Sequence, residues 1–285
     1  MSLAVARQAL KRIFEYASAS PHADDDVLSL VLHGGEPLLV GRAWLDEFLN
    51  EVRTQAPPGR HVEIGLQSNG TLLDRDWIRL LASYDVHLGI SLDGPAEWND
   101  QHRVTLSGRG TYHLTRRAID LLVKDRQAAP KWGVLVVANP QYSGVTIYEH
   151  LVELGVEWMD FLWPDYHHDS PPPWPPGQLC TYYTDLFNAW YGARDPDIRI
   201  RWFENVIKML LGSTSGIDAL GPHALTEVVI ETDGSLEPLD VLRTCEDGMT
   251  RLGLNVSHDG VDALRNTDLF RLCMDNQSLL PLECI

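Results

Sequence analysis

Residues 30–39 read LVLHGGEPLL, an apolar run that ends in two glycines, a glutamate and a proline. Glycine lets a ligand come close to the main chain and permits dihedral angles that other residues avoid. Pro37 fixes its own φ and biases Glu36 toward extended backbone. The stretch therefore predicts an apolar strand whose carboxyl end, at Gly34, Gly35, Glu36 and Pro37, meets a ligand.

Apolar runs of strand length alternate with helical patterns along the first part of the chain. The runs begin near residues 27, 61, 86, 131 and 157. Apolar residues at helical spacing mark helices at 3–17, 44–52, 77–84, 112–124 and 146–154. The strands are nearly all apolar, which is typical of parallel strands that are covered on both faces. This order predicts an α/β fold, either a (β/α) barrel or a doubly wound sheet.

The alternation ends near residue 165, where a proline-rich stretch begins. The prolines indicate either a stiff spacer or a peptide-binding groove. Two helices, at about 178–192 and 202–212, and a hairpin at Asp233-Gly234 are expected beyond it. The predicted regions are a barrel core at 1–163, a connector with helices at 164–214 and a small α+β C-terminal region at 215–285.

Charge and composition argue against several classes of partner. The formal net charge is −17, which disfavours binding to nucleic acids and to anionic membranes. The chain contains no run of 18 apolar residues, and its first 17 residues carry charges throughout, unlike a signal peptide. Reduced thiols in a cytoplasmic protein are therefore expected. The oligomeric state is not indicated.

Three consecutive strands end in polar, glycine-rich sequences, HGGEP at 33–37, QSNG at 67–70 and SLDGP at 91–95. Parallel strands bring such ends to one edge of the sheet, where the ligands of α/β proteins bind. The Glu36 carboxylate accepts hydrogen bonds, so this edge suits the ammonium group of an amino-acid-like ligand. A phosphate-binding loop is not indicated, because the glycine motifs of dinucleotide and nucleoside triphosphate sites are both absent.

In combination, HGGEP, QSNGTLL and SLDGP resemble the motifs of radical S-adenosylmethionine (SAM) enzymes, in the branch with a SPASM-type C-terminal extension. That branch includes anaerobic sulfatase-maturating enzymes and FxsB-like peptide maturases, which EVVIETDGSLEPLDVL at 227–242 also resembles. The resemblance covers roughly residues 1–250. It implies a partial (β/α)6 barrel that binds SAM and a [4Fe–4S] cluster, and a peptide or protein substrate. The implied chemistry is removal of a hydrogen atom from the substrate by a 5′-deoxyadenosyl radical.

The resemblance also implies roles for residues of the first two strand ends. Gly34, Gly35 and Glu36 match the GGEP motif that contacts the methionyl ammonium group of SAM. Ser68 and Asn69 would line the same pocket. The expected SAM site therefore begins at the end of the first strand and continues onto the second.

Further roles follow from the same resemblance. Ser91 matches a serine of the fourth-strand motif, and Arg103 matches an arginine for the SAM carboxylate, with a surface ion pair as the alternative. Asp93 either contacts SAM or caps its turn, and Leu162 either contacts adenine or belongs to the core. Asp240, in DGSLEPLD, matches the aspartate implicated as the base for the substrate; a hairpin carboxylate that faces water is the alternative.

The cysteines depart from the family pattern. The family cluster requires CxxxCxxC ahead of the first helix, but the first cysteine here is Cys180, and Leu239 replaces an auxiliary-cluster cysteine. Thiolates are the iron ligands, so this chain alone is expected to hold no [4Fe–4S] cluster and to be inactive. The barrel's first strand is also absent, which leaves a sheet edge prone to dimerisation or disorder. LPLECI at 280–285 makes Cys284 a remnant of an auxiliary-cluster motif, and we expect a chain truncated at both ends.

Other candidate groups carry weaker expectations. The remaining cysteines are expected to be buried thiols, at positions 180, 245 and 273. His167 and His168 stand beside two aspartates, but adjacent residues of a strand point to opposite faces, so a metal site is not predicted. His33 either lines the pocket or bonds to the local backbone.

Three functions stay open. The leading hypothesis is a radical SAM enzyme that modifies a peptide or protein side chain. The second is a cluster-free protein that binds a peptide or SAM on the same barrel face, and the third is an ordinary (β/α)-barrel lyase. The first two require the strand ends at 33–37, 67–70 and 91–95 to be adjacent.

Overall fold

The computed structural model describes residues 1–19, 27–167, 169–217, 220–221 and 227–274. Its centre is a six-stranded sheet in which every strand is parallel to its neighbour and the strands follow chain order. The strands are β1 Val27–Leu32, β2 His61–Ser68, β3 Val86–Ser91, β4 Trp132–Val137, β5 Trp158–Leu162 and β6 Arg199–Ile200. Sequential order is that of a barrel wall, so the partial (β/α) barrel is confirmed and the doubly wound sheet is wrong.

One helix precedes the first strand, the other helices follow strands, and together they cover one face of the sheet. They are α1 Leu3–Ala19, α2 Arg42–Gln55, α3 Arg75–Ser83, α4 Ala96–His102, α5 Tyr112–Lys124, α6 Gly144–Glu153, α7 Gln178–Ala193 and α8 Arg201–Leu210. The seven helices expected from apolar spacing are confirmed to within a few residues. The sequence did not predict α4 or β6, because elements of seven and two residues are too short to show a clear apolar period.

The two faces of the sheet differ in how well they are covered. On the helix side, Ile64, Leu88 and Ile90 are almost fully buried in a core shared with the helices. On the opposite side, which we call the inner face, Val31 of β1 is 58% exposed and Trp158 of β5 is 48% exposed. The expectation that both faces are covered is therefore wrong for the described residues. An apolar run such as that of β1 does not reveal which of its two faces will be buried.

The C-terminal region forms a small unit that packs against α1. β7 Val229–Ile230 pairs antiparallel with β8 Leu236–Glu237, which confirms the hairpin at Asp233-Gly234. The short helices α9 Val261–Arg265 and α10 Asp268–Met274 complete it. Its apolar core also includes a residue of α1 and is made of Ala9, Leu236, Val256, Leu264 and Phe270.

The division into three regions stays a prediction. β6 and α8, which fall in the expected connector, extend the main sheet and its core. Within the described ranges, β1 pairs only with β2, and no helix is both long and apolar enough to cross a membrane. His168 and Cys284 lie outside the described residues.

Candidate functional site

The carboxyl ends of β1, β2 and β3 are adjacent. Leu32 at the end of β1 pairs with Leu66, and Ser68 at the end of β2 pairs with Ile90. The sequences HGGEP, QSNG and SLDGP therefore meet at one edge of the sheet, which we call the carboxyl edge. This is the arrangement that the first two functional hypotheses require.

Glu36 connects the first two strand ends. Its Oε1 accepts hydrogen bonds from Leu38 N at 3.1 Å and from Ser68 Oγ at 2.9 Å, and its Oε2 accepts one from Asn69 N at 2.8 Å. Its backbone is extended, as expected before a proline, and its side chain caps the 3-10 helix Pro37–Val40. A carboxylate offers about four acceptor positions. One position on Oε2 therefore remains for a donor from a ligand.

Gly34 and Gly35 leave the space beside Glu36 open. Their φ values are +81° and +39°, in the left-handed region that favours glycine. A Cβ added to either residue would meet no atom within 4 Å. Backbone conformation, and not crowding by the protein, thus requires glycine at these positions. His33 beside them is exposed, and both of its predicted roles stay open.

Ser68 and Asn69 support the edge from the end of β2. Ser68 is buried, and its hydroxyl donates to Glu36 instead of facing open space. Asn69 Oδ1 accepts hydrogen bonds from the backbone and the hydroxyl of Thr71. Thr115 Oγ1 on α5 donates to Asn69 O at 2.9 Å, a contact that sequence reasoning missed because the two residues are 46 positions apart.

Ser91 receives a hydrogen bond that leaves its own proton available. Gln67 Nε2 donates to Ser91 Oγ at 2.8 Å, so the hydroxyl hydrogen is free to point toward a ligand. The Gln67 side chain lies across Gly89 on the neighbouring strand, where an added Cβ would overlap Gln67 Oε1. The sequence placed Gln67 in the QSNG motif without giving it a role, and it did not single out Gly89. Their contact depends on the pairing of Gln67 with Gly89 on neighbouring strands, and this pairing is known only once the strand register is known.

Asp93 and Arg103 bind each other. Their side chains are half-buried, so Arg103 is neither a free cation nor a fully exposed surface ion pair. Asp93 Oδ1 also accepts a hydrogen bond from Val137 N at 3.0 Å, and Asp93 N donates one to Asn99 Oδ1 at 3.1 Å. Asp93 thus fastens the ends of β3 and β4 and holds Arg103 at the carboxyl edge. The Nη1 group of Arg103 has no hydrogen-bond partner among the described residues.

Two candidate residues lie away from these contacts. Asp240 is exposed and begins the 3-10 helix Asp240–Thr244 in the C-terminal region, so its role as a base stays a prediction. Leu162 is half-buried on the inner face of β5, where it pairs with Val137, and its contact with adenine likewise stays a prediction.

The cysteines of the described residues are dispersed. Cys180 and Cys245 are exposed, so the expectation of buried thiols is wrong for both. Cys273 is partly buried, and burial raises the pKa of its thiol. In the part of the chain that the structure describes, no three His, Cys, Asp or Glu side chains lie close enough to share a metal ion. The expectation that this chain alone holds no [4Fe–4S] cluster stays a prediction.

Comparisons with known proteins identify relatives. No protein-family model matches the chain. A serine-type anaerobic sulfatase-maturating enzyme from Klebsiella pneumoniae is 33% identical over 283 residues, which cover 95% of this chain and 68% of that enzyme. A cysteine-type anaerobic sulfatase-maturating enzyme from Clostridium novyi is 26% identical over 250 residues, which cover 84% of this chain and 64% of that enzyme. The chain therefore spans a little under two thirds of the latter.

A solved structure shares the fold. The structure of native anSMEcpe with bound AdoMet and Cp18Cys peptide matches with a TM-score of 0.83 and 23% identity. The match covers 100% of this chain and 77% of that chain. At this level of identity the likeness establishes the fold, including the parallel sheet that brings the three strand ends together.

Proposed function

The chain belongs to the anaerobic sulfatase-maturating enzymes, in the SPASM-type branch of the radical SAM superfamily, and we propose from this premise that its carboxyl edge binds the methionyl head of SAM. The wider proposal is that it serves in the modification of a cysteine or serine side chain of a peptide or protein. Because the chain spans 64% of one curated relative, the activity, the substrate and the cytoplasmic location all belong to the proposal.

The observation that carries the proposal is the complementarity between the carboxyl edge and an amino-acid zwitterion. Glu36 Oε2 keeps an acceptor position for an ammonium group. The Ser91 hydroxyl and the Nη1 group of Arg103 are donors for a carboxylate. Charge-assisted hydrogen bonds of this kind are about twice as strong as neutral ones. The donor set of this edge therefore fits the methionyl part of SAM.

The proposal for residues 1–285 alone is limited to binding. When bound beside a reduced [4Fe–4S] cluster, SAM supplies the hydrogen-atom abstraction that is typical of the superfamily. The described residues provide no group of cysteine ligands for such a cluster. For residues 1–285 by themselves we therefore propose a cluster-free protein that binds SAM or a peptide. The ordinary barrel lyase is set aside because the chain belongs to a different family.

Asp240 is the proposed proton acceptor of the complete reaction. It is an exposed carboxylate in the hairpin region that resembles sulfatase-maturating enzymes. A carboxylate near the substrate removes the proton that is released as the substrate is oxidised. This role applies to the enzyme with its cluster, whereas SAM binding at the carboxyl edge is testable on the present chain.

Isothermal titration calorimetry with SAM tests the proposal. The wild-type chain is expected to bind SAM saturably, and Glu36→Gln is expected to weaken binding by about tenfold or more, because it removes a charge-assisted hydrogen bond. Glu63→Gln is the matched control, since Glu63 is exposed on β2 away from the carboxyl edge. Equal affinity of the Glu36 variant and the wild type would rule out Glu36 as the ammonium acceptor.

A further inference from the structure

A group of charged and aromatic side chains lies on the inner face of the last two strands. The alternation of β5 places Trp158, Asp160 and Leu162 on this face, opposite the buried Met159 and Phe161. Asp160 is in register with Leu135, which pairs with Ser91 of the carboxyl edge. β6 and the start of α8 add two arginines beside them. We call this group the inner stripe; it consists of Trp158, Asp160, Arg199 and Arg201.

Asp160 carries an unusual buried oxygen. Its side chain is 93% buried, and Oδ2 accepts a hydrogen bond from Arg201 Nε at 2.6 Å. Its Oδ1 is closed off from solvent and has no hydrogen-bond partner among the described residues. A buried polar atom without a partner destabilises a fold, and native structures contain few of them. This oxygen is therefore able to accept a hydrogen bond from a group outside the described residues.

The neighbours of Asp160 offer donors and an aromatic surface. The Arg201 side chain is 53% exposed and uses only Nε in its hydrogen bond to Asp160. Its terminal amino groups have no hydrogen-bond partner among the described residues. The Trp158 ring is half exposed and stacks beneath the Arg199 guanidinium, whose carbon lies 4.3 Å from the ring centroid. Arg199 also forms a salt bridge with Glu204, which fixes the position of its guanidinium over the Trp158 ring.

We propose that the inner stripe is a subsite for the main chain of an extended peptide. Asp160 Oδ1 accepts a peptide N–H, Arg201 donates to a neighbouring C=O, and Trp158 packs against a side chain of the peptide. An acceptor beside donors matches the alternation of N–H and C=O along a peptide, whereas the carboxylate disfavours an anion and the arginine disfavours a metal ion. Aromatic and arginine side chains are also the commonest anchors of protein interfaces.

The inference rests on the proposed peptide partner and adds the location at which that peptide binds. Oδ1 is closed to solvent in the free protein, so the proposal requires a side-chain movement that opens it when the peptide binds. The subsite lies on the inner face, in the same lateral row as Ser91. A peptide held there runs beside the carboxyl edge without using Glu36 or Arg103.

Calorimetry with the Cp18Cys peptide on the full 285-residue chain tests the inference. Asp160→Asn keeps the shape of the side chain but leaves it a single oxygen, which accepts the hydrogen bond from Arg201 Nε. The amide NH2 group then occupies the position of Oδ1, where a donor cannot accept a hydrogen bond from a peptide N–H. We expect it to weaken peptide binding about tenfold. Trp158→Ala changes an exposed residue and is expected to weaken binding severalfold. Asp120→Asn on the outer surface of α5 and Tyr191→Ala on α7 are the matched controls.

Hydrogen exchange locates the bound peptide and separates the outcomes. Protection of amides at 158–162 and 199–202 supports the subsite. The subsite is overturned if the Asp160 and Trp158 variants bind the peptide as the wild type does and protection appears only at 33–37, 67–70 and 91–95. The proposed function would survive that result. Failure of the wild type to bind the peptide overturns both the subsite and the peptide partner, while SAM binding at the carboxyl edge is judged separately by its own titration.

Discussion

Asp93 holds Arg103 through two hydrogen bonds, one of 2.6 Å from Nε to Oδ2 and one of 3.2 Å from Nη2 to Oδ1. The same carboxylate accepts the backbone N–H of Val137 at the end of β4. The direction of the guanidinium therefore depends on a residue of β3 and on the position of β4. Arg103 is a prepared donor whose orientation is fixed before any ligand arrives.

Asp93→Asn is expected to weaken SAM binding by about tenfold, through its effect on Arg103 and without any contact between Asp93 and the ligand. An amide has only one oxygen, so it cannot accept from both arms of Arg103 and from Val137. The measurement is a SAM titration with thermal unfolding alongside it. Arg103→Lys should give a similar loss, because lysine lacks the planar fork.

Arg109→Lys is the control for the arginine change, since Arg109 is exposed in the loop that follows Arg103. Its SAM affinity should equal that of the wild type. If Asp93→Asn binds SAM normally while remaining folded, Arg103 is oriented by other contacts and the role of Asp93 is limited to joining β3 and β4.

Gly89→Ala is expected to weaken SAM binding indirectly, by displacing the side chain of Gln67 from Ser91. The added methyl group would overlap Gln67 Oε1, so Gln67 must leave Ser91, and the hydroxyl of Ser91 loses its fixed direction. Gln67→Leu should reproduce the loss, and the double variant should be no worse than either single variant. Additive losses in the double variant would instead mean that the methyl group acts on the strand itself.

Much of the fold follows from local sequence. Five apolar runs and seven helical patterns each contain enough residues to show a period, and their alternation favours parallel strands. β6 was not predicted because it contains only Arg199 and Ile200, and two residues are too few to show an apolar period. The exposure of the inner face was also not predicted, because burial of a sheet face depends on elements from other parts of the chain that pack against it.

The candidate site likewise contains residues that the sequence reveals and contacts that it does not. Gly34, Gly35 and Glu36 are recognisable because a strand that ends in this sequence has few other uses. The partners that orient the site are remote in sequence: Gln67 and Ser91 are 24 positions apart, and Asp93 and Val137 are 44 apart. Register determines both contacts, and no short motif encodes register.

His150 is expected to make stability fall in mild acid. His150 lies on α6, and its Nε2 is 2.9 Å from the hydroxyl oxygen of Tyr112. Burial lowers the pKa of its imidazole below the ordinary value of 6.5. The charge of Glu153 opposes this shift, and the charge of Arg116 reinforces it. The unfolded chain then binds a proton more readily than the folded chain. Stability from this group is complete above pH 6.5 and is lost as the pH falls below it.

The measurement is the unfolding temperature between pH 5 and pH 8, with His150→Gln and the exposed His258→Gln compared with the wild type. Glutamine keeps an acceptor for Tyr112 but does not titrate, so the acid loss should shrink in His150→Gln. His258→Gln should keep the wild-type slope. An unchanged slope in the His150 variant would assign the acid sensitivity to other groups.

Residues 1–285 by themselves are expected to take up no [4Fe–4S] cluster, because the chain has four cysteines and no two lie within ten residues of each other. Three of them are dispersed over α7, the hairpin region and α10. Anaerobic reconstitution followed by absorbance and electron paramagnetic resonance spectra provides the test, with a radical SAM enzyme that contains CxxxCxxC treated in parallel. A cluster-type spectrum with about four irons per chain would contradict the expectation and would require ligands other than a local cysteine motif.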